Sequence, residues 1–359
     1  VAIVGHQQGA VRKALGTRVE YVVQEPQLGT AHAVLQAEDL LGRHPGPLLV
    51  LYGDTPLLAE ADLLSLVDCF KSARCVAAVL TAEVPVPRGY GRVVRSTAGE
   101  VVGIVEDADA SPEEARITEV NTGIYCFDPG FLFPALRRVR SDNAQGEYYL
   151  TDVVRLAAES GERVEAVLSS APEGALGIND RRGLARAAAR LRELAVEALM
   201  EQGVTVVDPS QTYVDPGVEV GRDTVILPGC ILQGSTRVGR RCTLGPDTRL
   251  DSCILGDGVT VCFSVVTQSE IEEGATVGPF AHVRPGCRIG AGARVGNFAE
   301  IKESSVGAGT KVPHHSYVGD ADIGPGANLG AGAVTVNYDG GGSTEPWWGR
   351  GPSSAATST

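Results

Sequence analysis

No apolar run in this chain approaches the roughly 20 residues that a helical membrane span needs, and its start carries no secretory leader pattern. Positive charge is thin: 31 Lys and Arg stand against 44 Asp and Glu, for a net charge of −13. No basic stripe is visible, which argues against nucleic acid as a partner. The cations are instead scattered among carboxylates, as in an enzyme that recruits anions locally. The eight cysteines form no CxxC pair. Most lie inside apolar patterns, where Cys behaves as a small hydrophobe, so a reducing, cytoplasmic compartment is expected. Tryptophan is missing from everything but the tail, at Trp347 and Trp348, and the chain opens at Val1 without Met.

What is present is a sizeable apolar fraction, 43% of 359 residues, enough to exclude wholesale disorder and to suggest two domains. Residues 1–180 alternate short β-rich runs with helical patterns. Strands are expected at 19–23, 48–52, 75–80, 101–105 and 124–127, with helices at 30–41 and 59–70. That alternation predicts a mostly parallel sheet covered on both faces, with ligands beyond the carboxyl ends of its strands, where Asp54 falls. Residues 184–202 hold no Gly or Pro and read as one helix stopped at Gly203.

Beyond that helix the period becomes six. Apolar residues stand at Val214, Val220, Ile226, Leu232, Val238, Leu244 and Leu250, then at Leu255 and Val261. The series resumes at Ile271 and runs by sixes to Ile301, stepping by five to Val306 and again from Val318 to Ile323. Neither helix nor simple strand repeats this way. A hexapeptide period is the mark of a β-helix with three flat faces and one inward apolar residue on each.

An α/β domain, a connecting helix and a hexapeptide β-helix together resemble the bacterial bifunctional uridylyltransferase/acetyltransferase family that makes UDP-N-acetylglucosamine. The resemblance implies a nucleotidyltransferase-like, Rossmann-like α/β domain at 1–180, a linker helix at 181–203, and a left-handed parallel β-helix at 204–339. It stops at about Gly340, and 340–359 is expected to be foreign to the fold. The family's opening Gly-rich phosphate loop would precede Val1, and its later coils would follow Gly340. From this, weak UTP turnover and impaired coenzyme binding are expected.

In the first half, Gln24, Gly29 and Thr30 match the family's uracil-binding segment. A side-chain amide suits a base edge, and Gly-Thr before a helix offers an N-cap. Tyr52-Gly53-Asp54 and Asn179 match the nucleotide and Mg²⁺ positions, with Asp54 and Asn179 as the metal's oxygen ligands. Gly91, Glu106 and Asn121 match the sugar contacts. Taken alone, Asp54 could equally cap the following helix.

In the second half, His314 matches the family's general base, three residues before Tyr317. An imidazole titrating near neutrality suits proton removal from an amine. Arg284 and Lys302 match the phosphate-binding cations, and Tyr317 and Asn328 the other sugar-phosphate contacts. Ala331, Asn337 and Tyr338 match part of the acetyl-CoA site. The implied partners are UTP, glucosamine 1-phosphate, N-acetylglucosamine 1-phosphate and acetyl-CoA, with neither nucleic acid nor membrane, and the implied assembly is a homotrimer. Three alternatives stay open: another sugar-1-phosphate nucleotidyltransferase with a non-catalytic β-helix, a non-catalytic trimeric remnant, and a zinc site on His282, His314 and His315.

Overall fold

The computed structural model describes residues 1–336 and the backbone of Trp347–Trp348, and it divides into two compact units, 1–187 and 188–359. The division falls inside the long helix Arg181–Glu201. Asn337, Tyr338 and the rest of the tail lie outside the described residues. Among the described residues no helix is long and apolar enough to cross a membrane.

The first unit is built on a six-stranded sheet. In chain order its strands are β3 (Leu48–Val50), β4 (Ala77–Glu83), β5 (Arg92–Arg95), β6 (Val101–Val105), β7 (Glu119–Phe127) and β8 (Val164–Leu168), and they lie in the order β6-β5-β7-β4-β8 with β3 also on β7. Two outlying strands, β1 (Ala2–Val4) and β2 (Tyr21–Val23), pair separately in parallel. The main sheet is not mostly parallel. β7 runs antiparallel to β3, β4 and β5, β5 is antiparallel to β6, and β4–β8 is the one parallel pairing within it. The misreading has a physical cause: a strand buried on both faces reads as a continuous apolar run whichever way its neighbour points.

Both faces of β7 are indeed covered, and alternate residues serve different cores. Tyr125 and Phe127 pack with Leu132, Phe133, Val153 and Val154 on one side. Ile124 and Cys126 pack with Leu66 and Ala175 on the other. The helix expected over 30–41 is two, Thr30–Leu35 and Glu38–Leu41, broken at Gln36 and Ala37.

The second unit is the expected left-handed parallel β-helix. Every member of the hexapeptide series through Ile323 is buried in one continuous core. Two faces join in a single curled sheet through the long strand Arg294–Lys302, and the third face forms its own sheet, to which Trp347–Trp348 adds backbone pairing on Asp322–Ile323. The gap in the series between Val261 and Ile271 closes with Val266, fully buried, so the chain takes two successive five-residue steps there.

Step length matches backbone conformation at most corners. The steps 250–255, 261–266, 266–271, 301–306 and 318–323 carry a left-handed residue two places after the inward one: Ser252, Phe263, Gln268, Glu303 and Asp320. Most six-residue steps carry it three places after, as at Asp223, Arg241, Phe280, Phe298 and His315.

A second inward position lies two residues before each aliphatic one and is reserved for small side chains. Cys230, Cys242, Cys253 and Cys287 fill it as apolar groups, and Thr212, Thr224, Thr236 and Thr248 fill it with buried hydroxyls. These hydroxyls close the backbone account at the corners. Thr224 Oγ1 donates to the Gly239 carbonyl at 3.0 Å and accepts from the Cys242 N–H at 3.0 Å.

Replacing Thr224 with Val keeps the volume but strands both backbone groups away from water. Thr224→Val is expected to destabilise the β-helix by about 1–3 kcal/mol. A lowered urea midpoint of the β-helix transition, followed by far-ultraviolet circular dichroism, checks this.

Candidate functional site

In the first unit the structure gathers most of the expected residues around one end of β7. Thr30 opens its helix against the 148–150 segment: the Ala31 N–H donates to the Tyr148 carbonyl and the Leu150 N–H to Thr30 Oγ1, at 2.8 and 2.9 Å. Gly29, at φ +113°, is needed here. A Cβ would sit 2.6 Å from the Tyr148 carbonyl oxygen. Gln24 holds this loop from inside, its Nε2 donating to the Gly29 carbonyl at 2.9 Å and lying 3.0 Å from His32 Nδ1.

The Tyr52 ring lies on Gly123, where an added Cβ would come within 2.3 Å of it. Burial, with the neighbouring Glu106 carboxylate, pushes its phenol up to about 12. Glu106 is itself raised above the ordinary carboxylate range, chiefly by burial, while the Thr151 hydroxyl, donating to its Oε1 at 2.9 Å, partly offsets this. Gly91 sits between Glu106 and Asn121: a Cβ there would lie 3.3 Å from Glu106 Oε2 and 3.6 Å from Asn121 Cβ. The Asn121 N–H donates to the Gly91 carbonyl at 2.8 Å. A close backbone approach at Gly91, a carboxylate and an amide thus share one small space.

Sequence reasoning missed what holds that space in shape. Arg92, only 2% exposed, donates through Nη2 to Asp107 Oδ1 at 2.7 Å and through Nη1 to the Tyr90 carbonyl. The Gly89 N–H donates to the other Asp107 oxygen at 2.9 Å. That N–H, and then the Arg92 guanidinium, hold the Asp107 carboxyl below its usual range. The buried Arg92 and the exposed Asp107 together clamp the 89–91 loop onto the turn that carries Glu106. Its one legible signal was an Arg directly after Gly91.

Asp54 lies beyond the end of β3, its side chain exposed and facing Gly177, where a Cβ would come within 2.8 Å of Asp54 Oδ2. The Ile178 N–H donates to the Asp54 carbonyl at 2.9 Å, which brings the next residue, Asn179, alongside. A carboxylate and an amide oxygen on two abutting backbones, with room kept by a glycine, fit a hard divalent cation such as Mg²⁺.

In the second unit, register aligns the expected cations. Val283, Ile301 and Val318 stack inward on successive coils, so Arg284, Lys302 and Gly319 fall in one outward column. Glu300 and Tyr317 pair in the adjacent column. Both cations carry local counter-charges: Arg284 Nη1 donates to Glu300 Oε1 at 3.0 Å, and Lys302 Nζ to Asp320 Oδ2 at 3.3 Å. Asn328 and Ala331 are exposed on the coil that follows.

His314 stands exposed beside a corner, in register with Asn297. Alternation along a flat strand would send His314 and His315 to opposite sides. The left-handed φ of +46° at His315 bends the chain there, and both rings are exposed, with centroids 6.4 Å apart. His315 caps a column of rings, stacking on Phe298 at 5.2 Å, with Phe280 and Phe263 below at 5.5 Å intervals. Among the described residues no three His, Cys, Asp or Glu side chains are placed to hold a metal ion, so the three-histidine alternative lacks its ligand set.

Comparison with known proteins agrees with this division. Residues 5–172 match the nucleotidyl transferase family, and residues 268–303 match the bacterial transferase hexapeptide (six repeats). The chain is 49% identical over 340 residues to the bifunctional protein GlmU of Brevibacillus brevis, which covers 95% of this chain and 74% of that protein. It is 45% identical over 340 residues to the protein of the same name from Enterococcus faecalis, with the same coverage. Among solved structures, a UDP-glucose pyrophosphorylase complexed with UDP-glucose is similar over 46% of this chain and 70% of its own, at 20% identity and a TM-score of 0.37.

The raised Glu106 makes a pH prediction. A carboxyl that holds its proton more tightly when folded contributes stability below its unfolded pKa of about 4.3 and loses it as pH rises through the folded value. Glu106→Gln removes that loss. The stability of the variant relative to the parent is expected to rise with pH across this window, read from urea unfolding at a series of pH values. A flat difference would mean that Glu106 ionises without penalty.

Proposed function

Because this chain belongs to the family of bifunctional GlmU proteins, we propose that it catalyses two successive transfers. Acetyl passes from acetyl-CoA to glucosamine 1-phosphate, and uridylyl passes from UTP to N-acetylglucosamine 1-phosphate. The observation that carries the reading is the Arg284–Lys302 column on a β-helix face, with His314 on the coil above. A β-helix serving only assembly has no need of stacked cations beside an exposed imidazole.

In the acetyl transfer, Arg284 and Lys302 hold the sugar phosphate, the first by its planar fork and the second as a point charge. Tyr317 and Asn328 fix the sugar. The amine nitrogen attacks the thioester carbonyl carbon, the carbon–sulfur bond breaks, and the amine proton passes to His314. Ala331 belongs to the coenzyme site, with Asn337 and Tyr338 beyond the described residues.

In the uridylyl transfer, a phosphate oxygen of N-acetylglucosamine 1-phosphate attacks the α-phosphorus of UTP and the bond to pyrophosphate breaks. Gln24, Gly29 and Thr30 receive the uracil, with Tyr52 and Gly53 beside the nucleotide. Gly91, Glu106 and Asn121 receive the sugar. Asp54 and Asn179 would hold Mg²⁺, which when bound offsets the phosphate charge. The exposed rings of Phe280 and Phe298, each 55% accessible, support a homotrimer that covers them.

The two reactions are assayed separately on one preparation. His314→Ala is expected to lower acetyl transfer by about 10²–10⁴-fold and leave uridylyl transfer unchanged. Asp54→Asn is expected to do the reverse. Acetyl transfer that survives His314→Ala would favour a nucleotidyltransferase with a non-catalytic β-helix.

A further inference from the structure

We infer that Asp62 is a positioning residue for the Asp54–Asn179 pair, acting through the segment that delivers Asn179. The inference rests on the proposed role of that pair in holding a divalent cation. Asp62 lies on the helix Glu60–Ala73, only 3% exposed, and outside every contact assigned above to substrate. Its carboxylate accepts three hydrogen bonds, from Ser169 Oγ at 2.5 Å, the Ser170 N–H at 3.0 Å and Ser170 Oγ at 2.8 Å. Those serines follow β8, and the chain then runs through Pro172–Ala175 to Asn179.

The whole arm is laid back along the segment that leads from Asp54 into the helix Glu60–Ala73. Its base is pinned by Asp62. Its middle touches at Gly174, where a Cβ would meet the Leu57 carbonyl at 2.4 Å. Its end is held by the Ile178 N–H on the Asp54 carbonyl, at 2.9 Å. The pins thus occur at residues 62, 57 and 54 in turn, against 169–170, 174 and 178. Burying a carboxylate is unfavourable unless its oxygens are fully bonded, and here every bond made to it comes from the base of the arm. Its strength is therefore spent on where that arm sits.

The test uses the full chain with Mn²⁺ as probe, titrated with UDP-N-acetylglucosamine present and read by electron paramagnetic resonance of the free ion. Asp62→Asn keeps the shape and exchanges an acceptor for a donor. It is expected to weaken Mn²⁺ about five- to tenfold, with a smaller loss for Ser170→Ala, which removes one bond and keeps the carboxylate. Acetyl transfer stays at the parent level in both, and a cooperative urea transition of the first unit, followed by far-ultraviolet circular dichroism, shows that this unit is folded. A merely structural role would lower the melting temperature and leave the Mn²⁺ affinity of the folded fraction unchanged, and that result overturns the inference. Asp54→Asn separates the two readings. If it abolishes Mn²⁺ binding while Asp62→Asn and Ser170→Ala leave it intact, the positioning role falls and the metal site stands. If Asp54→Asn has no effect on binding, both fall.

Discussion

Each coil of the β-helix closes only if the chain turns sharply at three corners, and most of these turns carry a residue held at positive φ. Glycine supplies it without steric cost at some corners, but Ser252, Gln268, Phe298 and His315 supply it with side chains attached. Such residues cost on the order of 1–3 kcal/mol each, and they persist because the stacked backbone bonds on either side over-determine the corner. At most corners its position within the step matches whether the chain advances five residues or six, the step from Leu232 to Val238 with Gly234 being an exception. Either way the aliphatic residue returns to the inside. A register slip of one residue would turn the whole inward set to solvent, so a corner that can shorten without slipping is what allows insertions and deletions in this fold. The outward columns inherit the same register. Arg284 lies over Lys302, although the coil below spans 17 residues and the one between them 18, because both corners bring their valine or isoleucine back to the core.

The first unit solves a different problem, which is to hold polar groups still at the rim of a sheet buried on both faces. Its answer is charged side chains tied to local partners. Arg92, buried, pairs with the exposed Asp107 and fixes the loop and the turn that meet at Gly91, and the buried Asp62 fixes the serines at the base of the Asn179 arm. An ion pair with one buried member is weak evidence for stability, since desolvation offsets much of its attraction. It does penalise every arrangement in which the partners separate. The result is a narrow range of positions for Gly91, Glu106 and Asn121, which is worth more to a site than to a core.

The apolar period made the β-helix legible before any coordinates, since only one architecture returns the chain to the same face every six residues. Val266 escaped because two five-residue steps in succession broke the count. The direction of β7 was not legible, because a strand with both faces buried shows no alternation to tell parallel from antiparallel. Within the site, Gly91, Glu106 and Asn121 could be named only through the family resemblance, since each alone is a weak signal and their order and spacing carry the match. Asp107, Thr151 and Asp62 could not, since they matter through partners 15, 45 and 107 residues away. His315 shows the limit most clearly. Its sequence position says strand, its conformation says corner, and only the corner explains why two adjacent histidines share one exposed surface.

The two cations of the β-helix face are also not equivalent, although their columns are. Lys302 pairs with a carboxylate that is 8% exposed, and its own side chain is 22% exposed. Arg284 pairs with Glu300 in the open, at 40% and 42%. An exposed ion pair is worth little and is readily exchanged, whereas separating a charge from a buried partner is costly. Under the proposed function, an incoming phosphate would meet one cation that can swing to it and one that would receive it in place. Lys302, tied to Asp320, would set where the phosphate sits. Arg284, released from Glu300, would close over it with two N–H groups and return the glutamate to water at small cost. Such a division of labour needs neighbouring cations with unequal partners, and the stacking of coils provides both in a single column.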